Sequence, residues 1–195
     1  MARAGVRSEA TRATLRQAAL DVATEYGVKG VTHRRVAAAA GVALGSASYH
    51  YEHIDELMYE AFAWWVASQT AGFAPGFAEA ETEDELVDAV LHLLTVIHGS
   101  PSARILLFEI YAQSVRDPKY HQLVENWSRQ TRTSLERMYS STVAQQIEAA
   151  WEGLGVQIVM GTLDSVEDAE ALLRLVLEQE PMKTAAPAKR RARSR

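Results

Sequence analysis

Residues 31–57, VTHRRVAAAAGVALGSASYHYEHIDEL, decide how this chain is read. Thr32 stands where a helix N-cap belongs, ahead of an apolar-periodic segment. Ala37 to Ala40 is a run of small residues. Gly41 follows it, the residue type that enters a left-handed turn without steric cost. From Ala43 to His50 a second short segment opens with small and polar residues and ends on Tyr49-His50-Tyr51. Two short helices around a tight turn are the layout of a helix-turn-helix, whose second helix enters a DNA major groove. Small residues beside the turn let the helices approach closely, and Ser46, Ser48, Tyr49 and His50 are left to face outward.

The composition around that stretch narrows the options. A chain of 195 residues with 48% hydrophobic content can bury a proper core. The absence of cysteine excludes a disulfide framework, a thiolate nucleophile and a Cys-based zinc site. The opening MARAGVRSEATR has no apolar run after its arginines, so it does not read as a secretory signal. No segment approaches the roughly 18 uninterrupted apolar residues of a membrane span. A cytoplasmic protein without a membrane partner is expected. The net charge of −5 argues against nucleic acid only until it is mapped. Residues 1–53 hold seven Lys/Arg against four Asp/Glu, residues 54–180 seven against twenty-one, and residues 181–195 six against none. DNA binding needs a local basic face rather than a basic whole.

The hydrophobic pattern is helical almost throughout. Leu15, Ala19, Val22 and Tyr26 recur at helical spacing and Gly27 closes their helix, placed near 9–26. Further helices are expected at 33–39 and 43–50, and then from Asp55 to Phe73, ended by Ala74-Pro75-Gly76. Thr82 and Glu85 read as a capping box for 83–98. Pro101 opens a helix to Ser114, and Asp117-Pro118 opens another to Tyr139. Thr142 and Gln145 suggest a second capping box for a helix reaching Met160, with VQIVM (156–160) as its continuation rather than a strand. Ser165 and Asp168 open the last, ending near Gln179. The result is an all-α chain of nine helices. Its domains are a helix-turn-helix domain at 1–53, a helical body at 54–180 and a disordered basic tail at 181–195.

Ala18-Ala19, Gly27, Thr32, Val36-Ala37, Ala40-Gly41-Val42, Gly45-Ser46, Tyr49-His50-Tyr51 and Leu57 follow, without a gap, a pattern that resembles the TetR family of bacterial transcriptional regulators. Past residue 60 the likeness is looser, carried by Glu109-Ile110, Arg116-Asp117-Pro118 and Trp151-Glu152-Gly153-Leu154. Two positions depart from the pattern. Ser48 stands where a Tyr is common, and Ile54 where a phosphate-holding Lys often opens the fourth helix. Arg7, Arg12, Arg34 and Arg35 are candidates to compensate. The resemblance implies a nine-helix fold, an operator duplex as partner, a homodimer, and a small-molecule effector in the C-terminal domain that releases a repressor from DNA. No cofactor, metal or catalysis is implied.

The candidate DNA contacts divide by chemistry. Thr32, Ser46, Tyr49 and His50 carry donors suited to phosphate oxygens, which fix register but not sequence choice. Ala43, Leu44 and Gly45 offer apolar or backbone approach, best matched to a thymine methyl, and Ser48 can bond either base type. Arg34 or Arg35 is the strongest base reader, since a guanidinium chelates guanine O6 and N7. Tyr51 reads as core and His33 as a solvated helix residue. For the effector, Phe62, Trp65, Tyr111 and Trp127 are candidate aromatics beside Gln69, His92, Glu109 and Gln113. Glu109, acidic within ILLFEIYA, needs a partner such as Arg104 or a cationic ligand. Ala149, Leu154, Ile158, Leu172, Leu173 and Val176 form the candidate dimer stripe, with the monomer core as the alternative. Two rivals differ in class. One is an enzyme with Asp88, His92 and His98 on a metal. The other is a small-molecule sensor or adaptor without specific DNA binding.

Overall fold

A computed structural model describes residues 2–98, 100–163 and 166–183. These residues form nine α-helices and a single 3-10 turn, Val28–Gly30, with no strand among them, which is the expected all-α class. The helices are α1 Ala2–Tyr26, α2 His33–Ala39, α3 Leu44–His50, α4 Ile54–Glu79, α5 Glu83–His98, α6 Pro101–Ser114, α7 Pro118–Met138, α8 Ser141–Met160 and α9 Val166–Leu177. None of the described helices is by itself long and apolar enough to cross a membrane. Packing divides the chain into two compact units, Met1–Ala71 with Ile97–Trp127 and Gly72–Val96 with Ser128–Arg195. The whole helix-turn-helix segment lies in the first.

In the first unit α1 packs on α2, α3 and α6. It buries Leu15, Ala18, Ala19, Val22 and Ala23, one stripe at helical spacing. It begins at Ala2 rather than near residue 9, because Ala, Arg and Glu favour helix even where no apolar periodicity marks it. Ser100 caps α6 by accepting from the Ala103 amide at 3.0 Å, with Pro101 at the first helical position.

One polar cluster ties the first unit together. Tyr51, fully buried, donates its hydroxyl to Glu60 Oε2 at 2.8 Å. Arg12 donates to Glu60 Oε1 at 2.6 Å and to the His50 carbonyl at 3.2 Å, and its guanidinium lies 4.3 Å from the centre of the Tyr51 ring. Arg16 approaches Glu60 at 3.7 Å and pairs with Glu9 at 2.7 Å. Burial, with the Glu60 hydrogen bond, pushes the Tyr51 phenol up to about 12. Burial also works against the Glu60 charge. Hydrogen bonds from Tyr51 and Arg12, with the charges of Arg12 and Arg16, outweigh it and hold the carboxyl below its ordinary value.

In the second unit two local expectations give way to packing. α4 does not end at Ala74-Pro75-Gly76 but runs on to Glu79. Pro75 removes one amide donor. Phe73, Phe77 and Ala80 are nonetheless buried along the continuing helix, with the two rings edge to face at 6.1 Å. A Cβ on Gly76 would come within 3.2 Å of Ala89 Cβ, so the glycine allows α5 to lie close. The N-cap of α8 is Ser140, not Thr142: its hydroxyl accepts from the Val143 amide, and Val143, Ala144 and Ile147 turn inward. The expected Thr82–Glu85 box is present. Thr82 Oγ1 accepts from the Glu85 amide at 3.2 Å, and Glu85 accepts from the Glu81 and Thr82 amides at 2.8 and 3.0 Å. Glu148, a buried acid, accepts from Arg132 Nε at 2.7 Å and from the Ser128 hydroxyl.

The C-terminal run is tied down further than expected. Glu180 accepts from the Ser140 amide and hydroxyl at 3.1 and 2.7 Å. The Lys183 amide donates to the Met138 carbonyl at 2.7 Å, and its ammonium to the Glu136 carbonyl at 3.1 Å and to the Tyr139 carbonyl. Residues 180–183 therefore close the end of α7 and the start of α8, so a free tail beginning at 181 is corrected. Ser165 and residues 184–195 lie outside the described residues.

Two measurements test these attachments. A chain ending at 179 should melt about 2–6 °C below one ending at 183, the effect of losing roughly 1–1.5 kcal/mol of capping hydrogen bonds. Equal midpoints would show the closure to be energetically idle. A carboxyl held below its ordinary value of 4.5 adds stability that is present above that value and lost as pH falls through the folded one. Thermal melts from about pH 6 to 3 should therefore fall less steeply for Glu60→Gln than for the wild type; parallel acid limbs would contradict the cluster.

Candidate nucleic-acid interface

The two short helices are set by their ends. Thr32 Oγ1 accepts from the Arg35 amide at 3.3 Å and caps α2. Gly41 has φ +65°, and a Cβ there would meet no atom within 4 Å, so the glycine serves backbone conformation rather than space. Its amide donates to the Ala38 carbonyl and the Val42 amide to the Ala37 carbonyl, at 3.2 and 3.0 Å. This pair of bonds is the Schellman closure of α2. Val36, Ala37 and Ala47 are buried where α2 and α3 pack, so small side chains do set the close approach.

The other face of α3 is open. Ala43, Gly45 and Ser48 are exposed, Leu44 is 50% exposed and Tyr49 85%, while Ser46 and His50 are half-buried. The end of α3 is held from three sides: Arg12 on the His50 carbonyl, Tyr51 on Glu60, and the His33 Nε2–H donating to the Tyr51 carbonyl at 2.8 Å. His33 is thus a tie between α2 and the end of α3, not a solvated residue. Arg12 is corrected likewise, since its guanidinium belongs to the internal cluster. The side chain of Arg7 lies outside the described residues.

Arg34 and Arg35 part company. Arg35 donates to the Gly30 carbonyl at 2.7 Å and lies over the Tyr26 ring at 4.5 Å. Arg34 is exposed and has no hydrogen-bond or ion-pair partner among the described residues. Glu60, Arg16 and the Tyr51 hydroxyl escaped sequence reasoning. Their only signal was a carboxylate on the face of α4 that otherwise carries Leu57, Ala61 and Phe62.

The candidate effector residues do not form one set. In the first unit Trp65 and Trp127 meet edge to face at 5.9 Å, and Phe62 meets Tyr120, which sequence reasoning missed, at 5.9 Å. All four are buried. Gln69, Tyr111 and Gln113 are half-buried. Glu109 is half-buried too, its Oε1 3.2 Å from where a Cβ on Gly27 would sit, and no ion pair joins it to Arg104 among the described residues. His92 belongs to the second unit, exposed and bonded to the Gly72 carbonyl at 3.2 Å. The side chain of His98 is outside the described residues, and no group of three potential metal ligands occurs among those described.

The candidate dimer residues also separate. Leu154 and Leu173 are 4% and 0% exposed and fill the second unit's own core, as the alternative reading had it. Ala149 and Leu172 are exposed, and Ile158 and Val176 half-buried. The open row on α8 is Ala149, Gly153, Val156 and Met160, spaced four, three and four, with Leu172 and Leu175 exposed on α9.

No protein-family model matches the chain, and no curated protein does. Solved structures match it well. SCO7518 from Streptomyces coelicolor A3(2), described as a transcriptional regulator, aligns with a TM-score of 0.74 at 31% identity over 86% of this chain and 96% of its own. SCO1917 from Streptomyces coelicolor A3, a TetR family member, gives 0.70 at 27% identity over 85% and 97%. The multidrug binding protein EbrR, complexed with imidazole, gives 0.66 at 27% identity over 92% and 97%. With the capped, glycine-closed pair α2 and α3 and nine helices in the described residues, this likeness makes the chain a member of the TetR family of transcriptional regulators.

Proposed function

We propose that the chain is a sequence-specific DNA-binding repressor that acts as a homodimer and is released from its operator by a small-molecule effector. The observation that carries this is the open face of α3: a 7-residue helix that exposes Leu44, Ser48 and Tyr49 while Ala47 anchors its back. Apolar and aromatic side chains so exposed on a helix of this kind suit a groove, where they meet thymine methyls and phosphates. Arg34 is the base reader of choice, because Arg35 is held by Gly30 and Tyr26. Thr32, Ser46, Tyr49 and His50 hold phosphates.

One such helix makes too small an interface for tight binding, and a twofold dimer with half-sites about 34–36 Å apart overcomes this. The row Ala149, Gly153, Val156 and Met160 repeats like a coiled-coil seam, and its glycine admits a closely packed partner. The effector body includes the aromatic cluster of Phe62, Trp65, Tyr120 and Trp127. EbrR, complexed with proflavin and with ethidium at 27% and 26% identity, supports a flat aromatic effector for that cluster.

A gel shift at about 150 mM salt on DNA flanking the gene should give sequence-specific retardation; purely nonspecific, salt-erased binding would favour the adaptor instead. Arg34→Ala should weaken specific binding by about 1–3 kcal/mol and relax base choice, whereas Arg35→Ala should chiefly lower the melting temperature. Tyr49→Ala should weaken all duplexes alike. A change of preference at full affinity would reverse the division between phosphate and base contacts. Val156→Glu with Met160→Glu should give a folded monomer by light scattering. A dimer that survives both charges would place the interface elsewhere.

A further inference from the structure

We propose that Glu60, through the Tyr51 hydroxyl and Arg12, is the positioning residue for the DNA-reading helix; this rests on the DNA-binding role proposed above. α3 is only two turns long, and it is held at its C-terminal end by groups from three other elements. Tyr51 follows directly on the Tyr49-His50 pair. Its ring is fully buried, and its hydroxyl is bonded to Glu60 Oε2 at 2.8 Å. The other carboxylate oxygen takes Arg12, whose second amino group holds the His50 carbonyl. One carboxylate on α4 therefore grips the reading helix twice, by the side chain after its last residue and by its last carbonyl.

A phenylalanine at 51 would fill the same buried space, so the hydroxyl is not needed for packing. What it adds is direction, since the bond to Glu60 sets where the end of α3 lies against α4. A helix this short has no slack to absorb a shift at one end, so its reading face moves with that end. Two and five residues beyond Glu60, α4 carries Phe62 and Trp65, packed on Tyr120 and Trp127. The same rigid helix thus holds the aromatic cluster and the carboxylate that aims α3.

The test compares full-length wild type, Tyr51→Phe, Glu60→Gln and Glu60→Ala, all well below their melting temperatures. The probes are a duplex selected from a random library by the wild type and a scrambled duplex. Tyr51→Phe should melt within a few degrees of the wild type. It should bind the selected duplex about tenfold more weakly, and the scrambled one unchanged. Glu60→Gln, which keeps an acceptor for the hydroxyl, should retain more discrimination than Glu60→Ala. In the Glu60→Ala background Tyr51→Phe should add no further loss. Amide exchange without DNA provides a second readout: protection at Ser48–Tyr51 should fall about tenfold in Tyr51→Phe while Val36–Ala40 stays protected. Unchanged discrimination, or equal loss on both duplexes, overturns the proposal. A wild type that selects no duplex removes the DNA-binding role, and exchange then decides alone: unchanged α3 protection overturns the positioning role, and selective loss upholds it.

Discussion

Glu60, a half-buried carboxylate on α4, is paired by groups from two other elements. Its partners are the guanidinium of Arg12 on α1 and the hydroxyl of Tyr51 after α3, with Arg16 close by. Remove the carboxylate and Arg12 loses its counter-charge while Tyr51 is left with a buried, unpaired hydroxyl. The arrangement also uses the Arg12 stem and ring stacking, so the same side chain packs and pairs at once. Around this point the orientation of α3 follows. Arg12 and His33 take the carbonyls at its C-terminal end, which a 7-residue helix cannot satisfy internally. The small residues Ala37 and Ala47 then fix how near α2 may come.

The division of labour on α3 is sharp for so short an element. Ala47 is wholly buried, while Tyr49, two residues on, is 85% exposed. A tyrosine standing in water gains nothing from folding, and Leu44 at the other end is also half open. Scattered exposed apolar residues are ordinary. Here they lie on the open face of a helix whose C-terminal end is held by three ties, from Arg12, His33 and Glu60. Such ties on a helix with little core of its own fit the DNA-binding role proposed above, in which the helix meets its partner pre-formed.

How much of this was legible depends on how local each cause is. Thr32, Gly41, Pro101 and the Thr82–Glu85 box act within a turn of themselves, and each stands where the residue pattern placed it. α4 beyond Pro75 was not legible, because the burial of Phe73 and Phe77 outweighs a local break that sequence alone displays. Ser140 displaced Thr142 for a related reason: Glu180, forty residues on, bonds it, and only burial fixes which turn of α8 comes first. The ambiguity between Arg34 and Arg35 turned on Tyr26 and the Gly30 carbonyl. Leu154 and Leu173 are as apolar as their exposed neighbours, so pattern alone left both faces open to a partner. Helical periodicity names a face, and only packing says what covers it.

In residues 1–53 few cations are left to meet a duplex, which bears on the DNA-binding role proposed above. Residues 1–53 carry seven Lys/Arg, yet Arg12, Arg16 and Arg35 already bond carboxylates or a carbonyl inside the fold. Among the side chains described there, Lys29 and Arg34 are the exposed cations without such a partner. Each phosphate neutralised by a cation adds to affinity through released counterions, so a head with few available cations gains little from that source. Neutral donors such as Thr32, Ser48 and Tyr49, and apolar contact through Leu44, must supply the rest, and those are short-range and geometry-dependent. The acidic excess of residues 54–180 disfavours a duplex against that stretch of the chain. The described side chains of residues 1–53 therefore offer little nonspecific attraction to a duplex. Under the DNA-binding role proposed above, binding rests on short-range contacts of α3, whose C-terminal end the ties at Glu60 hold.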